Sequence, residues 1–166
     1  MHASAPAAAE RRKLDFHDVD QLVAELQQLR DGGYRRSGRW SLSQICDHLA
    51  IFVRGSLGEF KKLLPWPIRF FVGKPLLRKI LRQRSMHPGT RVPAILLPGE
   101  PRDDSAAVDA LVRLLWQFRD HAGPLQANPL FGELSREQWT QLHLIHAAHH
   151  LSFLTPGNAT AAGGAP

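Results

Sequence analysis

Ser135-Arg136-Glu137-Gln138-Trp139-Thr140-Gln141-Leu142-His143-Leu144-Ile145-His146-Ala147-Ala148-His149-His150 is the stretch on which the fold turns. Its first four residues spell Ser-x-x-Gln, a capping box in which each side chain satisfies a backbone N–H of the other's end of the first turn. Trp139, Leu142, Ile145, His146 and His150 then recur at helical spacing, which predicts a helix running to about Leu154 and ended by Thr155-Pro156. Positions four apart lie one turn apart on nearly the same face. His146 and His150 are therefore stacked neighbours, His143 sits a turn earlier on the same side, and His149 lies to the flank.

Working outward, a second Ser-x-x-Gln box, Ser41 to Gln44, follows Trp40 and starts a helix with Ile45, His48, Leu49, Phe52 and Phe60 on one face, expected to reach about Leu63. Gly55 and Gly58 weaken its middle, as they would where another group packs close. An earlier helix is expected over 15–31, with Val19, Leu22, Val23, Leu26 and Leu29 inward, acidic residues in the first turn and Gly32-Gly33 as the stop. A further one is expected over 104–121, carrying Val108, Leu111, Val112, Leu115 and Phe118. In the link between the second and third long helices, prolines at 65, 67, 75, 88, 93, 98 and 101 leave only 75–83 as helical, with Pro75 at its first position. Strand-like alternation is absent. Four amphipathic helices of similar length predict an all-α, four-helix bundle, and the long Pro-rich link permits a crossover.

A chain of 166 residues, 43% hydrophobic and 22% charged, fits one domain with its own core. That domain is expected over 13–155, between disordered Ala-, Gly- and Pro-rich tails at 1–12 and 156–166. One cysteine, Cys46, excludes an internal disulfide and fits a reducing compartment. There is no apolar run long enough for a membrane span and no signal-peptide order of charges at the start, so a cytoplasmic protein with no membrane partner is expected. The net charge of +6 is uneven: 61–99 holds nine Lys or Arg and no Asp or Glu. A basic stretch of this kind fits nucleic acid, an anionic membrane or an acidic ligand, or simply a solvated face. No zinc-finger spacing or RNP-type aromatic run accompanies it, so no nucleic-acid partner is expected. The solvated face is the expectation, with a pocket lined by Arg69, Arg78 or Arg91 as the sharper alternative.

Nine histidines, four of them between His143 and His150, are the anomaly. Two imidazoles on one apolar helix face cannot both carry charge and must share few partners. His48 supplies a third ring from the second helix. Three neutral imidazoles form a common catalytic zinc set with a position left for water or substrate. Buried histidines satisfied by ordinary hydrogen bonds fit the same pattern.

Gly38-Arg39-Trp40-Ser41-Leu42-Ser43-Gln44-Ile45-Cys46-Asp47-His48-Leu49-Ala50 and Asn128-Pro129-Leu130-Phe131-Gly132-Glu133-Leu134-Ser135 resemble the DinB/YfiT-like superfamily, and most of all an uncharacterised bacterial branch of it. Trp139, His143, His146, His149 and His150 complete a likeness that spans nearly the whole folded part. The resemblance implies an up-down-down-up four-helix bundle. It also implies a divalent metal, zinc or nickel, on His48, His146 and His150. Two positions depart from the pattern: Leu151-Ser152-Phe153 stands where many members have Arg-Gly-Gln, and Asn128 where the branch often has histidine.

The implied chemistry is activation of a low-molecular-weight thiol for S-transfer, or of water for hydrolysis, on a small-molecule substrate. The alternative is a non-catalytic, metal-stabilised or ligand-binding bundle; a homodimer fits either. Ala147, Ala148 and His149 between the paired histidines exclude a His-Glu-x-x-His zincin. His143 is the candidate catalytic residue for proton transfer, against a structural role. Asp47 turns about 100° from His48 and reads as solvated. Cys46 reads as a small buried hydrophobe, Trp40, Trp116 and Trp139 as packing at the bundle ends, and Trp66 as a pocket lip.

Overall fold

The computed structural model describes residues 11–87 and 96–157, and it is predominantly helical. Helix α1 spans Val19–Gly32 and buries Val19, Leu22, Val23, Leu26 and Leu29. It starts later than the sequence suggested because Asp18, whose Oδ1 accepts from Gln21 N at 2.8 Å, is its cap, while Asp15 pairs with Arg84 at 2.7 Å. Gly33, at φ +67°, turns the chain out of the helix.

Strand β1, Tyr34–Arg36, pairs antiparallel with β2, Leu154–Pro156. This corrects the expectation of no strand. Three residues a side are too few for alternation to show, and the ladder forms because the turn after α1 meets the chain leaving the last helix.

Helix α2, Leu42–Arg54, has its capping box formed by Ser41 and Gln44 and buries Ile45, Cys46, His48, Leu49, Ala50 and Val53. It ends short of Leu63. A wider helical turn over Gly55–Glu59 follows, and Gly58 at φ +129° breaks the run. The close approach at Gly55 comes from its own chain: a Cβ there would stand 2.3 Å from the Phe60 ring.

The link is more helical than its prolines suggested. A short turn, Trp66–Ile68, runs through a wide turn, Arg69–Gly73, into α3, Lys74–Gln83. Lys74 N–H bonds back to Arg69 O, and in that widened ladder the missing N–H of Pro75 is accommodated. Leu77 and Ile80 face inward. Lys61, Lys62, Arg78, Lys79 and Arg82 are exposed, Arg69, Lys74 and Arg84 are half-exposed, and Arg91 lies outside the described residues.

Helix α4, Asp104–Asp120, is capped by Asp103 and buries Ala107, Val108, Leu111, Leu115 and Phe118. Its Asp104 ties three elements together, accepting from Tyr34 Oη at 2.9 Å and Ser43 N at 2.8 Å. Helix α5, Arg136–Leu151, carries the second capping box, from Ser135 and Gln138. It is buried well beyond one stripe, from Leu142 through Ala148, because α1, α2 and α3 all pack against it. Helix α2 in turn packs along α4, as does α1.

Residues 1–10 and 158–166 of the expected tails lie outside the described residues. Arg12, assigned to the first tail, bonds from N to Ser152 O at 2.9 Å and pairs with Glu25. Gly157, assigned to the second, donates to Gly33 O at 2.8 Å. No helix among the described residues is long and apolar enough to cross a membrane.

Candidate metal centre

The i,i+4 spacing on α5 and the inward face of α2 bring three imidazoles to one place. Ligand atoms of His48, His146 and His150 lie within 4.8 Å of one another, and no carboxylate or thiol belongs to the group. His146 Nε2 is 3.2 Å from His48 Nε2 and 3.0 Å from His150 Nε2. Ligand atoms about 2.0–2.1 Å from a tetrahedral zinc stand about 3.3–3.4 Å apart, so the spacing is that of one coordination edge. Three histidines are thus close enough to hold a metal ion.

Their hydrogen-bond accounting sharpens the point. His48 Nδ1 lies 2.7 Å from Leu96 O, and a carbonyl only accepts, so Nδ1 carries the proton. Neutral His48 therefore presents a bare Nε2 lone pair to His146. If His146 Nε2 carries a proton it donates to one neighbour only; if it does not, it faces the His48 lone pair with its own. At most one of the two Nε2 contacts can be a hydrogen bond between neutral rings.

Protonation does not relieve this. Burial lowers the His48 pKa, with the Leu96 carbonyl partly opposing. His146 is held well below its ordinary value by burial and then by His150 and His48. Burial, with His48 and His149 adding, brings His150 down to about 2. The rings are neutral at pH 7, the state in which imidazole ligates metal.

The walls are aromatic. Trp40 stacks on His150 at 5.1 Å and tilts over His48 at 4.9 Å, while Phe52 presents an edge to His146 at 4.6 Å and to His48 at 5.1 Å. His48 and His146 are buried; His150 is half-buried and gives the cluster its approach from outside. Trp40, expected as packing at a bundle end, is a wall of this cluster. The Leu96 carbonyl had no signature in the sequence, because a backbone acceptor from a link carries none.

His143 lies elsewhere. Ser56 Oγ donates to Val53 O at 2.7 Å, so His143 Nε2 must donate to Ser56 Oγ at 3.1 Å. Its ring stacks on Trp139 at 5.1 Å and takes the Phe118 edge at 4.8 Å. Burial brings its pKa down to about 3. His149 Nδ1 donates to Met86 O at 3.1 Å, outside the three-histidine group. Asp47 is engaged by Arg102 at 2.6 Å. Cys46 is buried, and burial with the nearby Asp47 pushes its thiol pKa well up, so it is no ready nucleophile. Trp66 and Arg69 line an open groove of about 410 Å³ with Lys74, Phe131 and Glu133, away from the histidines.

Residues 8–157 match the model of a family described as protein of unknown function (DUF1569), and the chain belongs to that family. No curated protein and no solved structure matches it.

Proposed function

We propose that this member of a family of unknown function is a divalent-metal-dependent enzyme of the DinB/YfiT type. In this reading α1, α2, α4 and α5 are the up-down-down-up bundle of that superfamily, and His48, His146 and His150 hold zinc or nickel. The observation that carries the reading is the convergence of three neutral Nε2 atoms of which at most one contact can be a hydrogen bond. A cation satisfies all three lone pairs at once.

Such an ion supplies Lewis acidity that favours the reactive anion of a small thiol, for S-transfer, or of water, for hydrolysis. The chain's own contributions are clear from its contacts. Leu96 O fixes the His48 tautomer and ring direction, as outer-shell acceptors do for metal-ligating histidines. Trp40 and Phe52 exclude water from the buried side and leave the approach along His150. The second reading, a non-catalytic metal-stabilised or ligand-binding bundle, is favoured by one observation: no carboxylate joins the group among the described residues to act as general base. His143, tied to Ser56 and packed on Trp139, reads as a structural histidine.

Cobalt substitution separates the two readings. An enzyme with an open position gives a cobalt spectrum that changes when a small thiol is added, and a tag-free preparation turns over a thiol-transfer or hydrolase substrate. A spectrum indifferent to thiols, water-soluble anions and chelating competitors alike would mark a closed, structural site.

A further inference from the structure

Every exposed large hydrophobic side chain among the described residues except Leu97 lies between positions 63 and 76. Trp66 is 60% exposed, Phe70 53%, Phe71 68% and Val72 53%, with Leu63, Leu64, Ile68 and Leu76 beside them. Scattered exposed hydrophobes are ordinary, but a contiguous patch marks an interaction surface. The three rings touch one another, Trp66 on Phe70 at 5.3 Å and Phe70 against Phe71 at 5.0 Å, so they form one protruding cluster.

The segment is held in this pose. Leu64 N donates to Pro129 O at 2.9 Å and Arg69 Nε to Leu64 O at 2.9 Å. Gly73 lies so close to the 128–132 turn that a Cβ would stand 2.2 Å from Leu130 O. The inward face of α3 is used by Leu77 and Ile80, and the aromatic cluster ahead of it stays exposed.

The charge around it is predominantly positive. No Asp or Glu occurs between Glu59 and Glu100, and Glu133 at the groove edge is the carboxylate nearest in the lining. Lys61, Lys62, Lys74, Arg78, Lys79 and Arg82 make no ion pair among the described residues. Apolar side chains flanked by a marked excess of cations, with Glu133 the one carboxylate in the groove lining, match a lipid surface: acyl chains below, phosphates above. A second copy fits poorly, since a two-fold contact would set cations against cations. Nucleic acid fits poorly too, because most of the patch is aliphatic: Leu63, Leu64, Ile68, Val72 and Leu76 offer bases nothing to stack on.

We propose that segment 61–82 docks this protein on an anionic membrane surface, Trp66, Phe70, Phe71 and Val72 entering the acyl boundary while Lys61, Lys62, Lys74, Arg78 and Lys79 meet lipid phosphates. This is surface docking, not a span, and it departs from the sequence expectation of no membrane partner. It is independent of the metal.

The test is co-sedimentation of the full chain with phosphatidylcholine vesicles and with mixed phosphatidylcholine–phosphatidylglycerol vesicles, at low and high salt. The variants are Phe70→Ser/Phe71→Ser and Arg78→Glu/Lys79→Glu, all at exposed positions, with circular dichroism to show that each stays folded. Wild type is expected to pellet with the anionic vesicles only, with a blue shift in tryptophan emission. The aromatic variant should lose on the order of a hundredfold in partitioning, as removal of two buried Phe side chains implies. Each cation contributes about fivefold near the surface, so the charge-reversed variant should lose at least about 25-fold, and high salt should release wild type. Absence of partitioning overturns the proposal, as does binding that the variants leave unchanged. A patch-dependent dimer without lipid, or retention on DNA in preference to vesicles, overturns it as well by assigning the surface another occupant.

Discussion

At the scale of single residues, the histidines divide by what each ring nitrogen touches. His48 has Nδ1 committed to Leu96 and Nε2 free toward His146; His143 has Nε2 committed to Ser56. His143 and His146, about one turn apart on one helix, thus end with different partners. A His143→Ala variant removes a buried ring stacked on Trp139 and leaves Ser56 without its donor, so it should cost about 2–4 kcal/mol in a denaturant melt. Metal content should not change, because His143 is outside the three-histidine group. The i,i+4 pair and His48 were legible in the sequence because helical spacing fixes a face. His143 shares that face on a helical wheel, but which neighbour it meets depends on Ser56, eighty-seven positions earlier, and periodicity says nothing of that.

At the scale of elements, the starts of helices were readable and their ends were not. Ser41–Gln44 and Ser135–Gln138 are local devices and form as written. The end of α2 is set by Phe60 folding back over Gly55 and by the positive φ of Gly58, a contact made only once the chain has turned. Gly73 is tighter still, since its neighbour is backbone. Gly73→Ala should cost about 1–3 kcal/mol or displace the 128–132 turn, whereas Ala at exposed Gly99, where an added Cβ would meet nothing within 4 Å among the described residues, should change the melt little. A difference in thermal midpoint between the two variants is the readout. The helical turns over 66–73, ahead of the expected 75–83, were missed for a related reason: Pro67 reads as a breaker, but it falls in a first turn, where the ladder needs no N–H from it. The two three-residue strands were likewise invisible, being a consequence of where the chain's ends meet.

Across the whole molecule, the burial of several neutral histidines couples stability to pH. A histidine near 6.5 in the unfolded chain and about 3 in the fold, as for His143, binds its proton in the unfolded state first. Stability is therefore intact above about pH 6.5 and falls as pH drops toward the folded value, by up to about 1.4 kcal/mol per pH unit for each such group. Denaturant midpoints measured from pH 7.5 to 4 should fall steeply below about 6.5, and His143→Gln should show a shallower slope. The helices also carry a continuous apolar core of their own, so the protein should not need an ion to fold. Bound metal adds about 2.7 kcal/mol at a hundredfold excess over its dissociation constant, and chelation should lower the melting temperature without abolishing the cooperative transition.

The central claim is that His48, His146 and His150 form one metal site. Its most direct test is metal analysis of tag-free protein equilibrated with zinc or nickel at neutral pH, beside His146→Ala, with circular dichroism on both. Wild type is expected to hold one ion tightly per chain, and the variant, still folded and helical, none. Wild type without bound metal, or a His146→Ala protein that still holds one ion per chain, would contradict it.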